Sequence, residues 1–158
     1  MTTEISDIAH EADECRLLLR ATPRGARLAR RLVGAQLAAW GIPYGCALSQ
    51  DIELVVGELA ANAVVHGLVP GRDFEVVLRY DGRRVLVEVS DARGEKTPPE
   101  GLAPADPWSA EGGRGLLVVQ ALAREWGVAA RVPGKTVWAV LGRGGDAGAD
   151  PGQGPAVG

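Results

Sequence analysis

Three polar side chains, Glu58, Asn62 and His66, recur every four residues in the stretch ELAANAVVHG (58 to 67), which is otherwise Leu, Ala, Val and Gly. Four residues turn a helix through about 400°, so the three form one slowly drifting polar stripe against which a polar ligand could lie. The same stripe would also serve as the wet side of an ordinary amphipathic helix, with His66 near the end whose dipole suits positive charge. Two other stretches bear on the choice. SDARG (90 to 94) ends an apolar run at Asp91, and EGGRGLLVVQ (111 to 120) carries Gly112, Gly113 and Gly115 into a helical pattern. Glycines in that position let the backbone approach a phosphate chain, with the free N–H groups of the first helical turn directed at it. GKT at 134 to 136 is a false lead, because a P-loop needs glycine at Ala129 and a helix where TVWAVL follows.

The elements that must hold these residues can be read in order. CRLLLRA (15 to 21) is a short apolar run suited to an edge strand, and Pro23 opens a helical pattern that GIP (41 to 43) ends. A second helix is predicted from near Leu48, capped by Ser49 or Asp51, to His66, with Gly67 as its stop. FEVVLRY (74 to 80) and RVLVEVSD (84 to 91) flank Asp81-Gly82, a strong hairpin signal. From Ala92 to Gly113 there is no periodicity, and four prolines interrupt the stretch; a loop of that length in a compact domain usually has a function. A helix over 114 to 125 and a closing hairpin, VAARV (128 to 132) and TVWAVL (136 to 141), complete the reading. Hairpin-linked strands with intervening helices predict an α+β fold in which helices cover one face of the sheet.

The chain has 158 residues, 46% of them hydrophobic, which suits one domain with a real core. Residues 1 to 13 and 142 to 158 are polar or rich in Gly, Pro, Ala and Asp and are expected to be disordered tails around a domain spanning 14 to 141. A net charge of −3 gives no reason to expect direct nucleic-acid binding. Cys15 and Cys46 match no metal-ligand spacing and read as buried small hydrophobes. With neither a signal-like N-terminus nor a membrane-length apolar run, a cytoplasmic protein without membrane contact is expected. Arg20, Arg24, Arg27, Arg30 and Arg31 read as a solvated face, or else as a docking patch for an acidic partner.

In combination and in this order, the E-L-A-A-N-A-V-V-H-G stripe, Asp91, the G-G-R-G-L turn and the late T-V-W strand resemble the GHKL ATP-binding superfamily of gyrase, histidine kinases and related chaperones. The short single-domain form is similar to the bacterial anti-sigma-factor serine kinases of actinobacteria, and the likeness spans roughly residues 15 to 141. It implies a two-layer sandwich of the Bergerat type, with a mixed, mainly antiparallel sheet and helices on one face, holding ATP and Mg²⁺. By the resemblance, Glu58 is the general base and Asn62 the Mg²⁺ ligand, while His66 lies near the nucleotide end of the helix. Asp91 accepts a hydrogen bond from the adenine amino group, and Thr136 supplies a hydroxyl that assists it. Residues 95 to 111 form a lid, Gly113 and Gly115 a second glycine box followed by Leu116, and Arg114 a γ-phosphate contact. The usual D-x-G-x-G is here D-A-R-G-E, with Arg93 at the first glycine position and Gly94 displaced by one.

The likeness further implies a serine/threonine protein kinase that phosphorylates an anti-sigma antagonist and sequesters a sigma factor, with a homodimer as one assembly open to it. The alternative is a nucleotide-responsive protein-binding module without turnover. A histidine kinase proper is disfavoured, because His10 sits in a polar stretch and no dimerisation helix carries it.

Overall fold

A computed structural model describes residues 12–66, 73–91, 113–130 and 135–142, of which the side chains at 65, 66, 113, 114 and 130 are outside the description. Its elements run β1 (Asp13–Arg20), α1 (Pro23–Ala39), α2 (Ala47–His66), β2 (Asp73–Tyr80), β3 (Arg84–Asp91), α3 (Gly113–Leu122), β4 (Glu125–Ala130) and β5 (Lys135–Gly142). The strands form one sheet in the order β1-β2-β3-β5-β4, and every pairing among them is antiparallel. The α+β expectation holds, with β1 at an edge as its short apolar run suggested, but no parallel pair makes the sheet mixed among the described strands. Most of the expected tails lies outside the described residues; Asp13 and Gly142, however, are the terminal residues of β1 and β5.

Alternation along the strands gives the sheet two chemically different faces. Leu17, Leu19, Phe74, Val76, Leu78, Val85, Val87, Val89, Ala139 and Leu141 turn toward the helices and share one core with Val33, Leu37, Ile52, Val55, Val56 and Leu59. On the opposite face Glu14, Arg16, Glu75, Arg79 and Glu88 form a ladder of ion pairs at 2.8 to 3.3 Å across three strands. Leu86 and Val140 form a second small cluster there with Trp138.

Local chemistry explains most helix ends. Thr22 caps α1, its hydroxyl accepting the Gly25 N–H at 2.9 Å, and Pro23 follows with no N–H to lose. At the start of α2 the expected caps, Ser49 and Asp51, are already inside the helix. Cys46 takes the capping position instead, its Sγ accepting the Ser49 N–H at 3.4 Å, while the Ser49 hydroxyl is buried without a hydrogen-bond partner among the described residues. Both cysteines are free and half-buried rather than buried, and burial pushes the Cys15 thiol up, which keeps it in the unreactive neutral form.

The last helix ends at Leu122, three residues before its predicted end, and β4 begins at Glu125 rather than 128. The reason is tertiary: Arg124 donates its N–H to the Val140 carbonyl at 2.8 Å, and Trp126 pairs opposite Ala139 and packs on the core. The five arginines on or before α1 are all exposed, as a solvated face requires. No helix among the described residues is long and apolar enough to cross a membrane.

Candidate nucleotide site

The long helix α2 lies centrally, against α1, α3 and strands β2, β3 and β5. This placement explains why it is apolar on most of its circumference: Ile52, Val55, Val56, Leu59 and Ala60 are all essentially buried. Glu58 and Asn62 are half-buried on the remaining arc, so the stripe is not simply the solvent side of the helix.

A pocket opens between the C-terminal half of α2 and the ends of β3 and β5. Leu59 and Ala63 from the helix and Val89 and Val137 from the sheet supply apolar walls, and Asn62, Asp91 and Lys135 supply the polar groups. Asn62 and Asp91, 29 residues apart in sequence, therefore face one space. Asp91 is the last residue of β3, on the helix-facing side of the sheet, and its Oδ1 accepts the Lys135 backbone N–H at a long 3.4 Å. Among the described residues that weak bond leaves most of the carboxylate's acceptor capacity open.

Glu58, one turn before Asn62, stands outside this lining and faces the start of α3. A Cβ built on Gly115 would lie 2.7 Å from Glu58 Oε2, closer than real Cβ contacts come, so the carboxylate packs directly on the glycine backbone. The glycine thus does structural service at a point where sequence suggested only room for phosphate. Leu116, beside it, is 4% exposed and joins the main core, so its side chain anchors α3.

Other expected positions distribute as follows. His66 closes α2, and Gly113 and Arg114 open α3, so the backbone brings them to the helix ends flanking the site, while the His66 and Arg114 side chains lie outside the described residues. Gly94 and the expected lid over 95 to 111 also lie outside them. Thr136 requires a correction. Paired opposite Ser90, its side chain is on the sheet face away from the helices, where its hydroxyl lies 2.7 Å from Ser90 Oγ. It is separated from Asp91 by the sheet itself, because neighbouring residues of a strand point to opposite faces.

The residue that does share Asp91's side is Lys135, which sequence reasoning passed over as part of the GKT decoy. Counting by twos back from the core positions Leu141, Ala139 and Val137 would have found it.

A match to the family described as "Histidine kinase-like ATPase domain" covers residues 19–141, most of the chain. The chain belongs to that family. A search of curated proteins returned no match. For a histidine-kinase-like ATPase domain the arrangement is chemically apt, and membership in the GHKL superfamily implies ATP binding. The pocket pairs apolar walls with the Asp91 carboxylate, and the packed Gly115 keeps the first turn of α3 close to the Glu58 carboxylate. Asn62, in the lining of the pocket, carries a hard amide oxygen of the kind that Mg²⁺ takes as a ligand. Mg²⁺ takes one or two protein oxygens and completes its shell with water and phosphate, unlike a metal held in an all-protein cage.

Proposed function

We propose that this domain is an ATP- and Mg²⁺-dependent serine/threonine protein kinase of the anti-sigma-factor type, which phosphorylates an antagonist protein and, when free of it, sequesters a sigma factor. The observation that carries the reading is the position of Glu58: a carboxylate held against the glycine at the start of α3, one helical turn from Asn62 in the pocket that Asp91 shares. Phosphoryl transfer to a hydroxyl requires a proton acceptor, and holding nucleotide alone does not.

In this reading ATP supplies the phosphoryl group and Mg²⁺ neutralises its charge when bound. Asn62 presents its amide oxygen to the metal, and Asp91 accepts the hydrogen bond of the adenine amino group, which guanine, with a carbonyl oxygen in that place, cannot donate. Glu58 takes the proton from the attacking hydroxyl of a serine or threonine, a role worth about 10²- to 10⁴-fold in rate. Leu59, Ala63, Val89 and Val137 give the adenine ring apolar walls. The exposed arginines of α1 offer a surface of the right sign for an acidic partner.

The test is transfer of labelled phosphate from ATP to candidate antagonist domains. Glu58→Gln should reduce transfer about 10²-fold or more while ATP affinity stays within about threefold of the unmutated chain. Transfer that survives the substitution unchanged would remove Glu58 from the base role. ATP-dependent partner binding with no transfer by the unmutated chain would favour the module without turnover.

A further inference from the structure

The pocket holds a cation that neither the family match nor the motif reading assigns. Lys135 is the first residue of β5, one position before Thr136, and so falls on the helix-facing side of the sheet beside Asp91. It lines the same pocket. Its backbone reaches Asp91, yet its ammonium has no ion-pair partner among the described residues, although an acidic side chain stands next to it. By contrast Arg16, Arg79 and Arg84 on the sheet are all paired with carboxylates. The Thr136 hydroxyl, meanwhile, is engaged with Ser90 behind the sheet.

Resting on the ATP-binding reading above, we infer that Lys135 is a specificity-determining residue of the nucleotide site, donating a hydrogen bond to the adenine ring nitrogen next to the amino group that Asp91 recognises. The chemistry follows from the two groups. An ionised carboxylate only accepts hydrogen bonds, and an ammonium only donates them. Both residues line the end of one apolar slot, so a flat ligand there can meet an acceptor from one and a donor from the other. Adenine offers the complement: its N6 amino group donates, and N1 on one side or N7 on the other accepts. A hydrogen bond from a charged donor in a partly desolvated pocket is worth about tenfold or more in affinity. Lys135 thereby performs on this side of the sheet what a hydroxyl at Thr136 would perform if its side chain faced the pocket.

The test is calorimetric titration of the full chain with ATP, 1-deaza-ATP and 7-deaza-ATP, in which C–H replaces one ring nitrogen at a time, for the unmutated protein and for Lys135→Met and Lys135→Arg. The unmutated chain should bind one of the two deaza analogues about tenfold more weakly than ATP. Lys135→Met should lose about the same factor for ATP and no longer distinguish ATP from that analogue, while Lys135→Arg, which keeps a donor, retains the distinction. Lys135 is half-exposed at a strand end, so Met is tolerated there, and an unaltered circular dichroism spectrum verifies it. If Lys135→Met still discriminates as the unmutated chain does, or both analogues bind the unmutated chain as tightly as ATP, the role assigned to Lys135 is wrong and the ATP site stands. If the unmutated chain binds no ATP at all, the nucleotide reading fails and Lys135 with it.

Discussion

At the scale of single residues, the site is a matter of which side chains reach one space. Glu58, Asn62 and Asp91 stand out in sequence because each belongs to a motif whose spacing is local, and the fold brings Asn62 and Asp91 to one pocket with Glu58 one helical turn away. Thr136 was misplaced and Lys135 missed for one physical reason: in a strand a shift of one residue changes the face, and nothing in GKT states which residue turns inward. The packing of Glu58 on Gly115 was also not legible, since it joins residues 57 positions apart. It leads to a prediction that separates stability from activity. Gly115→Ala replaces a glycine within α3 by the best helix former, which favours the helix by up to about 1 kcal/mol. The added Cβ, 2.7 Å from Oε2, must push the flexible Glu58 carboxylate aside. Phosphotransfer should therefore fall about tenfold or more with no loss of thermal stability, measured by initial rates and melting curves on the same preparation. Full activity in the alanine variant would show that the observed position of Glu58 is not the working one.

At the scale of elements, the hairpin of β2 and β3 was fully legible, since two alternating apolar runs flank Asp81-Gly82. Gly82 takes a φ of +93°, which its lack of a Cβ makes cheap. Asp81 accepts the N–H groups of Arg83 at 2.9 Å and Arg84 at 2.7 Å, and the Arg84 guanidinium at 3.0 and 3.1 Å. Burial raises the Asp81 carboxyl, but the bonds from Arg84 and Arg83 and the Arg84 charge together outweigh it and hold the group below its ordinary 3.8. A carboxylate depressed in the folded state binds fewer protons there than in the unfolded chain, so its stabilisation is full above the ordinary value and lost as pH falls through the folded one. Asp81→Asn should cost about 1 kcal/mol at neutral pH and flatten the loss of stability below about pH 4. Melting temperature against pH checks it; an unchanged acid limb would show that Asp81 contributes nothing to it. The boundary between α3 and β4 was not legible, because Arg124 to Trp126 are drawn into the sheet by pairing with β5, a contact no local pattern encodes.

At the scale of the whole molecule, one asymmetry organises everything else. The sheet gives its apolar side to the helices and its other side to an ion-pair ladder, and α2, buried on most faces, leaves a narrow polar arc where α3 and the ends of β3 and β5 approach it. Sequence periodicity foretold the layers, while the meeting of Asn62 with Asp91 needed the strand order to be known. That meeting can be measured most directly by calorimetry of ATP binding with and without Mg²⁺, for the unmutated chain and Asn62→Ala. The expected result is ATP affinity that rises at least about tenfold with Mg²⁺ in the unmutated chain, and a loss of that increment in a normally folded Asn62→Ala. Equal ATP affinity in both proteins, with Mg²⁺ present or absent, would contradict a site built on Asn62 and Asp91.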